Sequence, residues 1–158
     1  MKIKPEGAKL ALLDEYKKAI DELISIIAPL NNKALTTIRD TNTTDQDCVS
    51  IQRVLTHVVA SGYNYIVAME NAYGINSVRK ERILLPDALA YVQELENMYG
   101  YGYAFFEQYP NVQIEELDAA KKIKVLWGQQ YDVEQLMEHA IVHVLRHRRQ
   151  IAHFLHRV

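Results

Sequence analysis

The chain has 158 residues, of which 49% are hydrophobic and 24% are charged, and this is the composition of one globular domain spanning residues 1–158. With 18 Lys and Arg against 20 Asp and Glu, the net charge of −2 provides no general attraction to nucleic acid or to an anionic membrane. A single cysteine, Cys48, excludes an internal disulfide framework and a cysteine-rich zinc module.

Apolar side chains recur every three or four residues in four segments, which is the spacing of an amphipathic helix. The first segment covers residues 13–27 and is followed by Pro29. The second covers residues 51–69, and we expect it to end near Gly74. Several residues ahead of this second segment have side chains that can cap a helix N-terminus: Thr43, Thr44, Asp45, Asp47 and Ser50.

The third and fourth segments complete the set of predicted helices. The third covers residues 88–106, begins just after Asp87 and is closed by Tyr109, which precedes a proline. The fourth covers residues 133–155, with Asp132 as its expected N-cap. Four amphipathic helices in one small domain predict an all-α fold, a four-helix bundle.

Two of the connections between these helices are long. Residues 74–86 and 110–131 exceed the few residues that usually join antiparallel helices. The second connection contains a predicted extended piece over residues 123–126. Long connections permit a crossover, so a simple up-down-up-down order does not follow from the pattern.

The sequence contains no sign of membrane insertion or export. No stretch approaches the roughly 20 apolar residues of a membrane span. Near the N-terminus, Pro5, Glu6 and Gly7 occur where a signal peptide needs an apolar run. We therefore expect a cytoplasmic protein that binds neither nucleic acid nor membrane.

The histidines are unevenly distributed, and this is the most informative feature of the sequence. Five of the six lie between His139 and His156, whereas His57 stands alone. His139, His143 and His147 follow one another at intervals of four residues. Side chains four apart on a helix have Cβ atoms about 5–6 Å apart and can share an ion, but residues eight apart are separated by about 12 Å. One ion can therefore take His143 together with either neighbour.

Helix phase favours one of these two pairs. At about 100° per residue, His147 lies about 60° from the apolar position Val144, His143 about 100° and His139 about 140°. His143 and His147 are thus nearer the core, and His139 is expected to face solvent or a partner. His57 lies at the edge of the apolar stripe of the second helix. These three residues, His57, His143 and His147, would form a three-imidazole face with open coordination positions.

Two alternatives to this interpretation are another type of metal site and histidines that bind no metal. A histidine pair at this spacing is weak evidence by itself, since most histidines are surface or hydrogen-bonded core residues. A zinc protease of the HExxH type needs Glu directly after its first His, and that Glu is missing. A di-iron bundle needs Glu three residues before a His. The residues found at that offset are Val54, Leu136, Ala140, Val144, Gln150 and His153.

These motifs resemble those of the DinB family. The resemblance is carried by the histidine of SIQRVLTHVVASGYNY, by Trp127-Gly128 and by the C-terminal run of His139, His143, His147, Arg148 and Gln150. It implies a four-helix bundle of uncommon connectivity, often a homodimer. It also implies a divalent metal, commonly nickel or zinc, on His57, His143 and His147. One departure is Arg149, where the family often has Gly.

The resemblance also suggests a type of reaction. Some similar proteins are enzymes that move low-molecular-weight thiols, such as bacillithiol and mycothiol transferases. Hydrolysis normally needs a side-chain base beside the activated water, but no Asp or Glu occurs in residues 139–158 or between Asp47 and Glu70. A thiol does not need such a base, because coordination to a metal deprotonates it. We therefore favour transfer of a thiol to a small substrate over hydrolysis, unless another segment supplies a base.

A non-catalytic function is the alternative, namely a metal-binding or metal-free dimeric stress-response protein. The basic run 146–149 resembles a nucleic-acid patch, but cations late in a helix complement its dipole, and Glu134 and Glu138 are available as partners. Cys48 precedes His57 by nine residues, about 13 Å along a helix, and is not expected to be a ligand.

Two polar residues share helix faces with the predicted ligands. Asn64 lies seven residues beyond His57, and Gln150 lies three beyond His147. Either can orient a ligand or a substrate, but solvation at the surface is the simpler expectation for both.

Overall fold

The structure, a computed structural model, describes residues 2–156 and is mostly helical. Its helices are α1 (Gly7–Ile27), α2 (Asn32–Thr36), α3 (Ile51–Ala72), α4 (Ala88–Gln108) and α5 (Val133–His156). Two short strands, β1 (Ile123–Lys124) and β2 (Gln130–Tyr131), lie in the connection before α5. The predicted all-α class is confirmed. Within the described residues, no helix combines the length and the apolar character that crossing a bilayer requires.

Short polar side chains begin three of the long helices. Ser50, Asp87 and Asp132 each accept a hydrogen bond from the backbone amide three residues later, at 2.8–3.2 Å. These bonds satisfy amides that have no partner within the helix. Of the caps proposed for α3, Ser50 is therefore the one used, and the expected cap Asp132 is confirmed. Beyond the end of α3, Gly74 adopts a φ of 79°, a left-handed conformation that suits glycine.

The four long helices enclose one hydrophobic core. Helix α1 packs against α4 and α5, and α3 packs against the same two helices. Gly62 of α3 allows an especially close approach, because a Cβ atom there would lie 2.1 Å from Met98 Sδ and 2.9 Å from Tyr16 Oη. The pairing of α3 with α5 matters most for function, since all the histidines predicted to be ligands lie on these two helices.

Side chains of α3 form hydrogen bonds with the backbone of the connection between α3 and α4. Asn64 donates from Nδ2 to the backbone oxygen of Lys80 at 3.1 Å, and its Oδ1 accepts from the Lys80 amide at 2.8 Å. Nearer α4, Gln52 donates to the backbone oxygen of Leu85 at 2.9 Å. Asn64 is only 9% exposed, so the expectation that it is solvated at the surface was wrong.

The connection between α4 and α5 contains the small hairpin. Strands β1 and β2 are antiparallel, with Ile123 opposite Tyr131. Ile123 and Val125 are buried and pack onto the core, whereas Trp127 at the hairpin tip is 48% exposed. The extended piece predicted over 123–126 is therefore present but shorter, because the chain turns after Val125.

Candidate metal centre

Three imidazole rings meet where α3 packs against α5. His57 of α3 and His143 and His147 of α5 each place one ring nitrogen so that all three nitrogens lie within 4.8 Å of one another. The Nε2 atoms of His57 and His143 are 2.9 Å apart. The ring centroids of His143 and His147 are 4.5 Å apart, and that of His57 lies 4.9 and 5.0 Å from them. The structure thus brings together the three histidines that helix phase selected.

Burial keeps these rings uncharged at neutral pH. It lowers the pKa of His143 to about 2 and that of His57 to about 4, and the nearby His147 contributes to both shifts. The pKa of His147 is also lowered, mainly by burial. A neutral imidazole retains one nitrogen lone pair, which is the form that coordinates a metal. The cluster is therefore ready to donate without first losing protons.

The spacing and chemistry of these donors fit a divalent ion. An ion with tetrahedral bonds of about 2.0–2.1 Å holds its donor nitrogens about 3.3–3.4 Å apart. The closest pair in the cluster is slightly nearer than this, at 2.9 Å, and no pair exceeds 4.8 Å. Small side-chain rotations would close the difference. Three imidazoles suit zinc, nickel, copper or iron, and they leave coordination positions for another ligand.

Gln150 fixes the orientation of one histidine. Nδ1 of His147 lies 2.8 Å from Gln150 Oε1. Because the amide oxygen can only accept, Nδ1 carries the proton and Nε2 keeps the lone pair. Gln150 therefore does more than face solvent, contrary to the simpler expectation from sequence. A hydrogen bond of this kind holds a metal-binding histidine in the correct tautomer.

We predict that Gln150→Leu lowers the affinity for zinc or nickel by about 10- to 100-fold, because His147 loses the partner that fixes its ring. Gln150→Glu is the matched control, since a carboxylate still accepts from Nδ1. Competition with a chromogenic chelator measures both affinities. Equal affinities in the Leu and Glu variants would show that this contact does not position His147.

A carboxylate that the sequence argument missed lies on the outer side of His57. Asp47 Oδ2 is 3.5 Å from His57 Nδ1 and 2.5 Å from Arg82 Nη1. Arg82 Nη2 is also 3.4 Å from that ring nitrogen. If His57 binds an ion through Nε2, Nδ1 is protonated, and of these two neighbours only Asp47 can accept its hydrogen bond. Asp47 can therefore orient the His57 ring, and its own negative charge is paired with Arg82.

His139 is set apart from the three ligands but does not simply face solvent. Its ring stacks on Trp127, with centroids 5.3 Å apart and planes inclined by 27°. It also contacts Tyr65 edge to face at 5.3 Å, and the Tyr131 hydroxyl lies 3.3 Å from its Nδ1. The expectation that His139 faces solvent or a partner was therefore incomplete, because the hairpin places an aromatic ring over it.

The remaining residues singled out in the sequence lie outside the cluster. Cys48 donates weakly to Asp45 at 3.5 Å, and burial raises the pKa of its thiol. Arg148 pairs with Glu22 of α1 and not with the acidic residues earlier in its own helix. Arg149 is exposed, so the departure from glycine at this position puts no cation into the site.

A cleft of about 1100 Å³ leads to the histidines from the surface. Its base is formed by α3, and the two long connections form its sides. His57 and His143 line the cleft, whereas His147 is only 4% exposed and lies behind them. A small molecule in this cleft can therefore reach the cluster from one side.

Comparison with known proteins connects this geometry to a family. The family model described as "DinB family" matches residues 9–158. This range covers nearly the whole chain and contains all three histidines. No curated protein and no solved structure matches the chain. The family match is therefore the finding that links this cluster to other proteins.

Proposed function

Since this chain belongs to the DinB family, we propose that it is a metal-dependent enzyme that transfers a low-molecular-weight thiol to a small electrophilic substrate. His57, His143 and His147 would hold the divalent ion, nickel or zinc. The observation that carries the proposal is the meeting of three neutral imidazoles at the inner end of an open cleft. The family match supports the same assignment.

The residues around the cluster have distinct parts in this proposal. The ion would supply Lewis acidity, which lowers the pKa of a coordinating thiol and makes it nucleophilic at neutral pH. His57 and His143 present their rings to the cleft, where a thiol can enter. Gln150 holds the His147 ring in one tautomer, and Asp47 faces the outer nitrogen of His57.

The charges near the cluster favour a thiol over water as the nucleophile. None of the described residues that line the cleft is Asp or Glu. The carboxylate of Asp47, 3.5 Å from His57 Nδ1, lies on the outer side of His57 and pairs with Arg82. Within residues 2–156, no carboxylate lines the cleft to take a proton from water there, as hydrolysis normally requires. A thiol needs no such base, because coordination would release its proton to solvent. Its sulfur would then form a bond to the electrophilic carbon of the substrate, and the leaving group, chloride in the assay below, would depart with the electron pair of its bond.

The test is a transfer assay on protein loaded with nickel or zinc. Glutathione, cysteine, bacillithiol and mycothiol would each be offered with the model electrophile 1-chloro-2,4-dinitrobenzene. We expect at least one thiol to react about 100-fold faster than without protein, well within the range of enzymatic acceleration. The acceleration should disappear in metal-free protein and in His143→Ala, but not in the exposed control His153→Ala. Metal-loaded protein that accelerates none of these reactions would contradict the proposed transfer.

A further inference from the structure

The cleft that leads to the histidines is lined by positive charge. Among residues 2–156, six Lys and Arg side chains line it, and no Asp or Glu does. If charges were spread evenly over the chain, its 22 lining residues would include between two and three of each sign. The concentration of cations is therefore a local feature, since the whole chain has a net charge of −2.

The cations come from the two long connections, and two of them are free to meet a ligand. Four of the six are paired with carboxylates at 2.5–3.9 Å: Lys80 with Glu94, Arg82 with Asp47, Lys121 with Asp118 and Lys122 with Asp132. Arg79 and Lys124 are exposed and form no ion pair with any other residue in the range 2–156. One of these two residues belongs to each connection. Their charge is thus not neutralised by the protein itself.

Apolar surface lies beside these cations in the same cleft. Trp127 is 48% exposed and Leu126 is 78% exposed at the hairpin tip. The Trp127 ring is held in place by stacking on His139 and by an edge contact with Tyr65 at 6.1 Å. Small side chains of α3, among them Ala60 and Ala68, line the base. The cleft therefore offers a contact surface for the body of an organic molecule as well as for its charge.

We propose that this cleft binds a small organic anion, whose carboxylate or phosphate group pairs with Arg79 and Lys124 and whose apolar body packs against Trp127. Charges of one sign in a concave site reinforce one another and attract the opposite sign. A guanidinium group also matches the two oxygens of a carboxylate or phosphate. The inference rests on the proposed function and adds to it the charge of one reactant: either the thiol or the electrophile that accepts it is an anion.

The test measures binding to metal-free protein, so that coordination to an ion cannot contribute. Trp127 is the only tryptophan, and its fluorescence reports on the cleft directly. The probes are phenylacetate, phenyl phosphate and the neutral phenylacetamide, which matches phenylacetate in shape. We expect at least one anionic probe to bind at least about tenfold more tightly than the amide, with the advantage reduced as NaCl rises from about 0.05 to about 0.5 M. The stronger anion indicates whether the natural group is a carboxylate or a phosphate.

Charge-removing variants assign the effect to the cleft. Arg79→Gln and Lys124→Gln should each weaken binding of the anion at least about threefold and leave the amide unaffected. Lys33→Gln is the matched control, since Lys33 is exposed on α2 and lies outside the cleft. Equal binding of anion and amide, equal effects of all three variants, or no saturable signal with either anionic probe would overturn the proposal.

Failure of the anion site and failure of the proposed thiol transfer can be distinguished. Anion binding by a protein that binds no metal would reject thiol transfer on a metal and uphold the anion site. Metal binding without any preference for the anion would reject the anion site alone.

Discussion

His143→Ala is expected to lower the affinity for zinc or nickel at least about 100-fold, which is more than the removal of a residue that only orients a ligand usually causes. His143 is the central member of the cluster, since its Nε2 lies 2.9 Å from His57 and its ring centroid lies 4.5 Å from that of His147. Its loss leaves two imidazoles on different helices. Metal analysis after gel filtration and chelator competition measure the change.

One control variant and a second measurement keep this result specific. His139→Ala removes a histidine of the same helix that lies outside the group of three nitrogens. Thermal unfolding provides a second readout, because an ion at about 1000 times its dissociation constant stabilises the native state by about 4 kcal/mol. That metal-induced stabilisation should survive in His139→Ala and disappear in His143→Ala. An unchanged metal content in His143→Ala would show that the three histidines are not the site.

Gly62→Val is expected to destabilise the fold by about 3 kcal/mol, at the upper end of overpacking costs. The new Cβ would lie 2.1 Å from Met98 Sδ and 2.9 Å from Tyr16 Oη, and Tyr16 is itself buried. Methionine can move, but the hydroxyl of Tyr16 on α1 occupies the same space, so α3 would have to shift away from α1 and α4. Urea denaturation of the metal-free protein measures the free energy of unfolding.

Gly100→Ala is the matched control, because a Cβ at this exposed position of α4 meets nothing within 4 Å. Alanine is the better helix former, so this variant should be more stable than the wild type by about 0.5–1 kcal/mol. Stability that rises or stays unchanged in Gly62→Val would mean that α3 and α4 are not packed as closely as described.

The long helices could be predicted from sequence because their apolar periodicity is strong. The start of α3 at Ile51 followed from a polar run before an apolar stripe, but that run offered five possible caps, of which the helix uses Ser50. Helix α1 begins at Gly7, six residues before the first apolar position used to predict it, because none of the residues in its first turns is buried. The five residues of α2 were missed, since such a short helix shows no periodicity.

The histidine cluster could also be anticipated, because helix phase is a local property of each segment. The partners of the ligands depend on how other segments fold back. Asp47 precedes His57 by ten residues and reaches it only through the turn before α3, and Arg82 comes from a distant connection. The contact between His147 and Gln150 spans three residues of one helix and was within reach of the sequence. The stacking of Trp127 on His139 could not be predicted from the sequence, because it depends on where the hairpin lies relative to α5.

The paired hydrogen bonds of Asn64 to Lys80 have a consequence for association. They immobilise the backbone in the middle of the connection, next to Arg79 and two residues before Arg82. Chain segments that are already ordered lose little conformational entropy when they capture a molecule. An incoming anion would therefore meet Arg79 on a backbone that is already ordered, so little of the electrostatic attraction would be lost in ordering that segment.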